Sequence, residues 1–241
     1  MKLMREAGRI LGIVLSEIEK TIKPGVTTLE LDQLAEKMIR SMDAVPSFIG
    51  YNGFKHSICA CINEEVVHGI PSNRAIKAGD LVTVDCGVTY KGFIADSAIS
   101  VALDGADQKT KKLLSTAYKA LEKAIDMAKP GLRTSEFGKI IEKTVRKEGF
   151  GIVEDLSGHG IGVHLHEDPY ILNYDNGEEG PIMQPGMTFA IEPIITIGSP
   201  KTKTLKDGWT IVTQDGSMAV QVEHTIAITE KGAEILTKRP K

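Results

Sequence analysis

The sequence predicts an α+β fold in which two pseudo-symmetric halves build a central antiparallel β-sheet backed by helices on one side. Three observations carry that prediction. Lys23-Pro24-Gly25-Val26-Thr27-Thr28-Leu29-Glu30 recurs as Lys129-Pro130-Gly131-Leu132-Arg133-Thr134-Ser135-Glu136, and Glu36-Lys37 recurs as Glu142-Lys143, at an offset of 106 residues throughout. Gly79-Asp80-Leu81-Val82-Thr83-Val84-Asp85 and Gly186-Met187-Thr188-Phe189-Ala190-Ile191-Glu192 each run from a turn glycine through an apolar stretch into one carboxylate, at an offset of 107. In both halves, segments of helical period precede segments rich in β-branched residues and bounded by turns. Pro-Gly followed by a Thr N-cap and a first-turn Glu can recur independently, but a spacing kept to within one residue over that distance argues for internal duplication. No Ser/Gly/Pro linker separates the halves, roughly 1–105 and 106–241, so one domain spanning 1–241 is expected.

Taken in order, Leu3, Ala7, Ile10, Leu11, Val14, Leu15 and Ile18 keep helical spacing, as do Leu113, Leu114, Ala117, Leu121, Ala124, Ile125 and Ala128 in the second half. Each helix ends at a Pro-Gly break. Leu31, Leu34, Met38 and Ile39, and then Phe137, Ile140, Ile141 and Val145, form the next helix of each half, the second stopping near Gly149. Strands are expected over 58–62, 81–88, 93–101, 187–197, 210–213 and 218–229.

At 241 residues, 41% hydrophobic and with a net charge of −3, the chain has enough apolar material for a large core. A pI near 6.1 argues against a broad nucleic-acid-binding face, so no DNA partner is expected. Lys201, Lys203 and Lys206 form a local basic run that reads first as a solvated loop. No apolar run approaches the ~18 residues of a membrane span and no signal-peptide core opens the chain, so a cytoplasmic protein is expected. Three cysteines, with Cys59 and Cys61 two apart, make neither a disulfide framework nor a structural zinc site, and they read as reduced packing residues.

The acids carry the chemistry. A carboxylate in a buried β-branched strand is costly unless a cation or donors compensate it. A hairpin of 81–88 with 92–101 turning at Tyr90-Lys91 places Asp85 directly opposite Asp96, with Cβ atoms ~5 Å apart. Such a pair repels, and a divalent metal would turn the repulsion into a binding site. Glu192 has a comparable partner in Glu223, inside Val220-Gln221-Val222-Glu223-His224-Thr225-Ile226. Four inward carboxylates exceed what one tetrahedral ion needs, and two of them able to bridge suggest two metals ~3.5–4 Å apart. Gly158-His159-Gly160-Ile161-Gly162-Val163-His164-Leu165-His166-Glu167-Asp168-Pro169 packs three histidines into a segment that is neither a good helix nor a good strand, and one of these imidazoles could ligate metal. His68, in Val66-Val67-His68-Gly69-Ile70-Pro71, reads as its counterpart in the first half.

Asp85, Asp96, His159, Glu192 and Glu223, with His68 in His-Gly-Ile-Pro and the Gly-His-Gly-Ile-Gly segment leading to His-Glu-x-Pro, resemble the type I methionine aminopeptidases of the pita-bread fold, in their short bacterial form. The resemblance covers essentially the whole chain. It implies removal of the initiator methionine from nascent proteins whose second residue is small, with two divalent ions (Co2+, Mn2+, Fe2+ or Zn2+) as cofactors. By the same resemblance Asp85 chelates one ion, Asp96 and Glu223 bridge both, and His159 and Glu192 complete the other, Glu192 also serving as general base. His68 and His166 match substrate-contacting histidines that hold the scissile amide, whereas His164 matches no role and reads as structural. Tyr51, Phe54, Cys59 and Trp209 match the lining of a methionine pocket. Phe48 stands where many relatives carry a small cysteine and Leu165 where an aromatic is common; either change narrows or reshapes the pocket, or affects packing alone.

N-terminal Met peptides and nascent chains are the implied partners, with transient ribosome contact for which the Lys201–Lys206 loop is a candidate. Two internal halves complete one body, so a monomer is expected. Two other readings stay open. One is a prolidase or aminopeptidase P-like pita-bread hydrolase, although those usually carry an added N-terminal domain. The other is a non-catalytic peptide-binding module, although such proteins typically lose ligands and this chain keeps all five.

Overall fold

The computed structural model describes residues 1–240. Helices α1 (Lys2–Thr21) and α2 (Thr28–Ser41) open the first half, followed by β1 (Val45–Pro46), a single 3-10 turn at Tyr51–Gly53, β2 (Ile58–Ile62), β3 (Glu65–Val67), β4 (Leu81–Tyr90) and β5 (Phe93–Ala102). Helices α3 (Gln108–Met127) and α4 (Ser135–Lys147) open the second, followed by β6 (Gly151–Ile152), β7 (Gly158–Gly160), β8 (Glu167–Ile171), β9 (Thr188–Ile191) and β10 (Ile194–Thr196). Then come β11 (Thr202–Thr204), β12 (Ile211–Thr213), β13 (Ala219–Gln221), β14 (His224–Thr229) and β15 (Gly232–Ile235). Every strand pair among the described residues is antiparallel.

The helical periodicity is realised as burial. Ala7, Ile10, Leu11, Val14, Leu15 and Ile18 of α1 are buried against β4 and β5, in one core with Leu31 and Ile39 of α2. The corresponding residues of α3, with Phe137 and Ile141 of α4, form a second core with Phe189, Ile191, Ile195, Val220 and Ile226. There the Phe137 and Phe189 rings meet edge to face at 6.0 Å. Burying one such ring is worth about 2–3 kcal/mol.

The duplication extends to backbone detail. Gly25 and Gly131 both have positive φ and donate their N–H to Ile76 and Met183 respectively, and isolated bridges join Thr27 to Ala75 and Arg133 to Ile182. The helix starts differ. Thr27 and Glu30 form a reciprocal capping box on α2, whereas Arg133 occupies the matching place before α4, where Thr134 already has helical φ and ψ and caps nothing.

Two expectations need correction. The β4–β5 hairpin turns at Lys91-Gly92, both with positive φ, as a two-residue turn matched to the strands' twist requires. Pairing Tyr90 with Phe93 sets Asp85 opposite Ala98 and Asp96 opposite Gly87, so the two aspartates are diagonal neighbours on one face. The expected strands 187–197 and 218–229 are each interrupted. Pro193, lacking an N–H, cannot continue the ladder between β9 and β10, and Val222-Glu223 separate β13 from β14. Ile191 pairs with His224 and Ile194 with Gln221, so the same register runs on both sides of the breaks and leaves Glu192 across from Glu223.

The halves are joined along β5. Glu223 donates its N–H to the Ala98 carbonyl at 3.0 Å. Ser97 and Ser100 hydroxyls donate to the carbonyls of Glu223 and Gln221, each at 2.6 Å, and Thr225 donates to the Asp96 carbonyl at 2.6 Å. Each such bond is worth about 1 kcal/mol net, and together they fix the backbone on which acids from both halves converge.

Candidate metal centre and substrate pocket

A cavity of about 360 Å³ opens at that seam, and all thirteen residues to which the family resemblance gives a role line it. Asp96, His159 and Glu223 are buried and each offers a ligand atom within 4.8 Å of the others. Glu192 Oε1 lies 3.7 Å from His159 Nε2. Asp85, diagonal to Asp96, is tied to Glu192 through Gln221, whose Nε2 donates to Asp85 Oδ2 at 3.3 Å and to Glu192 Oε2 at 3.2 Å. Gln221 was not anticipated, although its position two residues before Glu223 in an alternating strand puts both side chains on one face.

The electrostatics favour a cation. No lysine or arginine among the described residues lines the cavity. Burial and then mutual repulsion push the carboxyls of Asp96, Glu192 and Glu223 well above the ordinary carboxylate range, and burial raises Asp85 to about 6. Asp85 Oδ1 and Glu223 Oε1 are buried without a hydrogen-bond partner among the described residues. Orphaned carboxylate oxygens beside an imidazole nitrogen form an all-O/N donor set that a divalent metal fits.

His159 is prepared as a ligand. Its Nδ1 lies 2.8 Å from the Gly160 carbonyl, which can only accept, so Nδ1 carries the proton and the Nε2 lone pair faces the acids. Burial, then the neighbouring His166, lowers its pKa to about 4, keeping the ring neutral. The expectation that this segment is not a strand is wrong for Gly158–Gly160, which runs as β7 between β8 and β9. A Cβ at Gly158 would fall 2.3 Å from the Ala190 carbonyl and one at Gly160 2.3 Å from that of Asp168, so glycine alone admits the close approach.

His68 follows β3 with φ of 58°, a left-handed conformation unusual outside glycine, and its ring meets Trp209 edge-on at 6.5 Å. It is not the counterpart of His159, because β3 pairs with β12 whereas β7 pairs with β8 and β9. His166 packs against His159 at 4.3 Å between ring centroids. His164 is exposed, its N–H donating to Glu167.

The apolar wall groups Phe48, Phe54, Cys59, Leu165 and Trp209, with Phe54 and Trp209 rings 5.0 Å apart. Phe48 and Leu165, the two departures, are both buried, and Phe48 packs over Gly87, where a Cβ would come within 2.8 Å of the ring. Cys59, Cys61 and Cys86 are free thiols, and burial raises the Cys59 thiol well above its usual range. Asp155, Leu156 and Ser157 also line the cavity and carried no sequence signal. Behind it, the buried Asp32 carboxylate accepts from His56 Nδ1 at 2.9 Å, Ser57 N–H at 2.7 Å and Ile58 N–H at 3.2 Å, fixing the start of β2.

Residues 2–230 match the profile of metallopeptidase family M24. The chain is 48% identical over 236 residues to methionine aminopeptidase 1 of Bacillus subtilis, covering 98% of this chain and 95% of the relative. A crystal structure of methionine aminopeptidase from Thermotoga maritima superposes with a TM-score of 0.97 at 42% identity, over 99% of this chain and 96% of that one. The Xaa-Pro dipeptidase of Bacillus anthracis superposes with a TM-score of 0.80 at 26% identity, over all of this chain but 61% of that one. The chain therefore belongs to metallopeptidase family M24, a family of hydrolases with the pita-bread fold.

Proposed function

We propose that this hydrolase removes the N-terminal methionine from peptides and nascent chains whose second residue is small, with two divalent ions drawn from Co2+, Mn2+, Fe2+ or Zn2+. Asp85, Asp96, His159, Glu192 and Glu223 would hold the ions. Bound there, the metal supplies Lewis acidity that brings the pKa of water toward neutrality. Glu192 would act as general base toward the attacking water; its residue lies across from Glu223, and its Oε1 beside His159. His68 and His166 donate hydrogen bonds to the scissile carbonyl, where negative charge develops. Phe48, Tyr51, Phe54, Cys59, Leu165 and Trp209 enclose the methionine side chain, whose thioether gains from contact with rings and sulfur. The cytoplasm is the proposed compartment and a monomer the proposed state; no helix among the described residues is long and apolar enough to cross a membrane.

One observation carries this reading: the acid and imidazole cluster and the aromatic, thiol-lined wall share one cavity. The relatives' names support methionine as the residue released. The test is release of methionine from Met-Gly-Met-Met by metal-free protein given each divalent ion in turn, beside Glu192→Ala and a proline dipeptide. Metal-dependent release that the variant lacks supports the proposal. Cleavage of only the proline dipeptide would point to a prolidase, and tight metal binding without cleavage to a binding module.

A further inference from the structure

Tyr51 lies at the mouth of the cavity, 38% exposed, with its Oη 2.6 Å from Nδ1 of His166. Both partners are set in place before they meet. Tyr51 sits in a tight turn closed by Gly50 N–H to Phe54 O at 2.8 Å, Tyr51 N–H to Phe48 O at 3.0 Å and Phe54 N–H to Tyr51 O at 2.9 Å. Phe48 and Phe54, buried in the apolar wall, anchor the turn on either side. His166 follows the buried Leu165 in a loop whose Val163 and His164 N–H groups both donate to Glu167, and its ring is braced against His159.

A neutral imidazole has one donor nitrogen and one acceptor nitrogen. Between a phenol and an imidazole, the phenol O–H is the stronger donor and the sp² ring nitrogen the stronger acceptor. The bond therefore runs from Tyr51 Oη–H to His166 Nδ1, which places the ring proton on Nε2, the nitrogen remote from Tyr51. We infer that Tyr51 is a positioning residue: its hydroxyl holds His166 as the Nε2–H tautomer, keeping that nitrogen a hydrogen-bond donor toward the substrate. The inference rests on the proposed role of His166 as a donor to the scissile carbonyl. It also joins specificity to chemistry, because the turn that presents Phe48 and Phe54 to the substrate side chain is the turn that aims Tyr51 at His166.

The test uses full-length, 15N-labelled protein loaded with diamagnetic Zn2+ at pH 8, where an ordinary imidazole is neutral. Long-range 1H–15N correlation spectra distinguish protonated from acceptor ring nitrogens. Wild type is expected to show His166 with acceptor Nδ1 and protonated Nε2. Tyr51→Phe, which removes one hydroxyl from a partly exposed side chain, is expected to show a mixture of tautomers. With a Met-Gly-Met-Met substrate, kcat should fall roughly tenfold, in the range found when an orienting partner of an active-site group is removed, with KM held within about twofold. Phe54→Leu should instead raise KM and leave the tautomer fixed. A protonated Nδ1 in wild type, an unchanged single tautomer in Tyr51→Phe, or an unchanged kcat would each overturn the inference. Wild-type protein inactive on methionine peptides, yet showing the tautomer shift in Tyr51→Phe, would refute the substrate assignment and leave the tautomer assignment standing.

Discussion

Removing one carboxylate from the acid cluster should stabilise the metal-free protein and destabilise the metal-bound one, and Asp85→Asn is the cleanest case. Its Oδ1 is buried without a partner among the described residues, and its Oδ2 accepts from Gln221, an interaction the Asn carbonyl can keep. Burial raises the folded pKa to about 6 from an ordinary 3.8. Because that pKa is raised, the acid binds a proton more readily folded than unfolded; its contribution is favourable below pH 4 and is lost as pH rises through about 6. The shift corresponds to ~3 kcal/mol at neutral pH, and the cavity's opening to solvent trims this to ~1–2 kcal/mol. For a chain of this size that is a rise of about 2–8 °C in Tm for the metal-free variant at pH 7. The assay is thermal unfolding by circular dichroism in chelator between pH 4.5 and 7.5, repeated in excess Mn2+. Wild type should lose stability as pH rises without metal and recover it with metal, whereas Asp85→Asn should start higher and gain little. A wild type whose metal-free stability is flat across that range, or a variant that melts lower at pH 7 in chelator, would refute the reasoning.

Three further outcomes follow from packing and hydrogen bonding. Phe189→Ala, which removes a fully buried ring from the contact with Phe137, should cost about 3–5 kcal/mol in urea unfolding; a loss under 1 kcal/mol would mean that the second-half core is not packed as described. Asp32→Ala strips the acceptor from the Ser57 and Ile58 N–H groups and should cost about 1–3 kcal/mol in the same measurement. Gly158→Ala forces a methyl into the Ala190 carbonyl; it should cost about 1–3 kcal/mol and weaken Mn2+ binding by calorimetry, because it moves the strand that carries His159.

Much of this was legible in the sequence because it rests on spacing. The 106–107 offset is a register of the chain itself, and the structure repeats it in the Gly25 and Gly131 turns. Glu192 and Glu223 face each other as expected, whereas the pocket residues, which only the family resemblance singled out, line the same cavity. The β4–β5 turn falls one residue later than expected, which shifts the strand pairing by two residues, because Lys91-Gly92, not Tyr90-Lys91, has the positive φ values that a two-residue hairpin needs. The interruption at Pro193 follows from its missing N–H, but nothing local marks the matching break at Val222-Glu223, which exists only because its partner strand stops there. Gly158-His159-Gly160 hides its strand because glycine has poor intrinsic β propensity, and the close approach of Ala190 that selects it is a tertiary fact. The hydroxyls of Ser97, Ser100 and Thr225 are equally silent in one dimension, since their partners lie more than 120 residues away.

The central claim, that the acid cluster holds metal for release of N-terminal methionine, is tested most directly by one titration. Metal-free protein would receive Mn2+ in steps past two equivalents, with release from Met-Gly-Met-Met and from Leu-Gly-Met-Met followed at each step. The account predicts no release without metal, a rise as metal is added, and a preference for methionine over leucine of at least roughly tenfold, as a shaped apolar pocket provides. Release that is independent of metal, or equal for the two peptides, would contradict it.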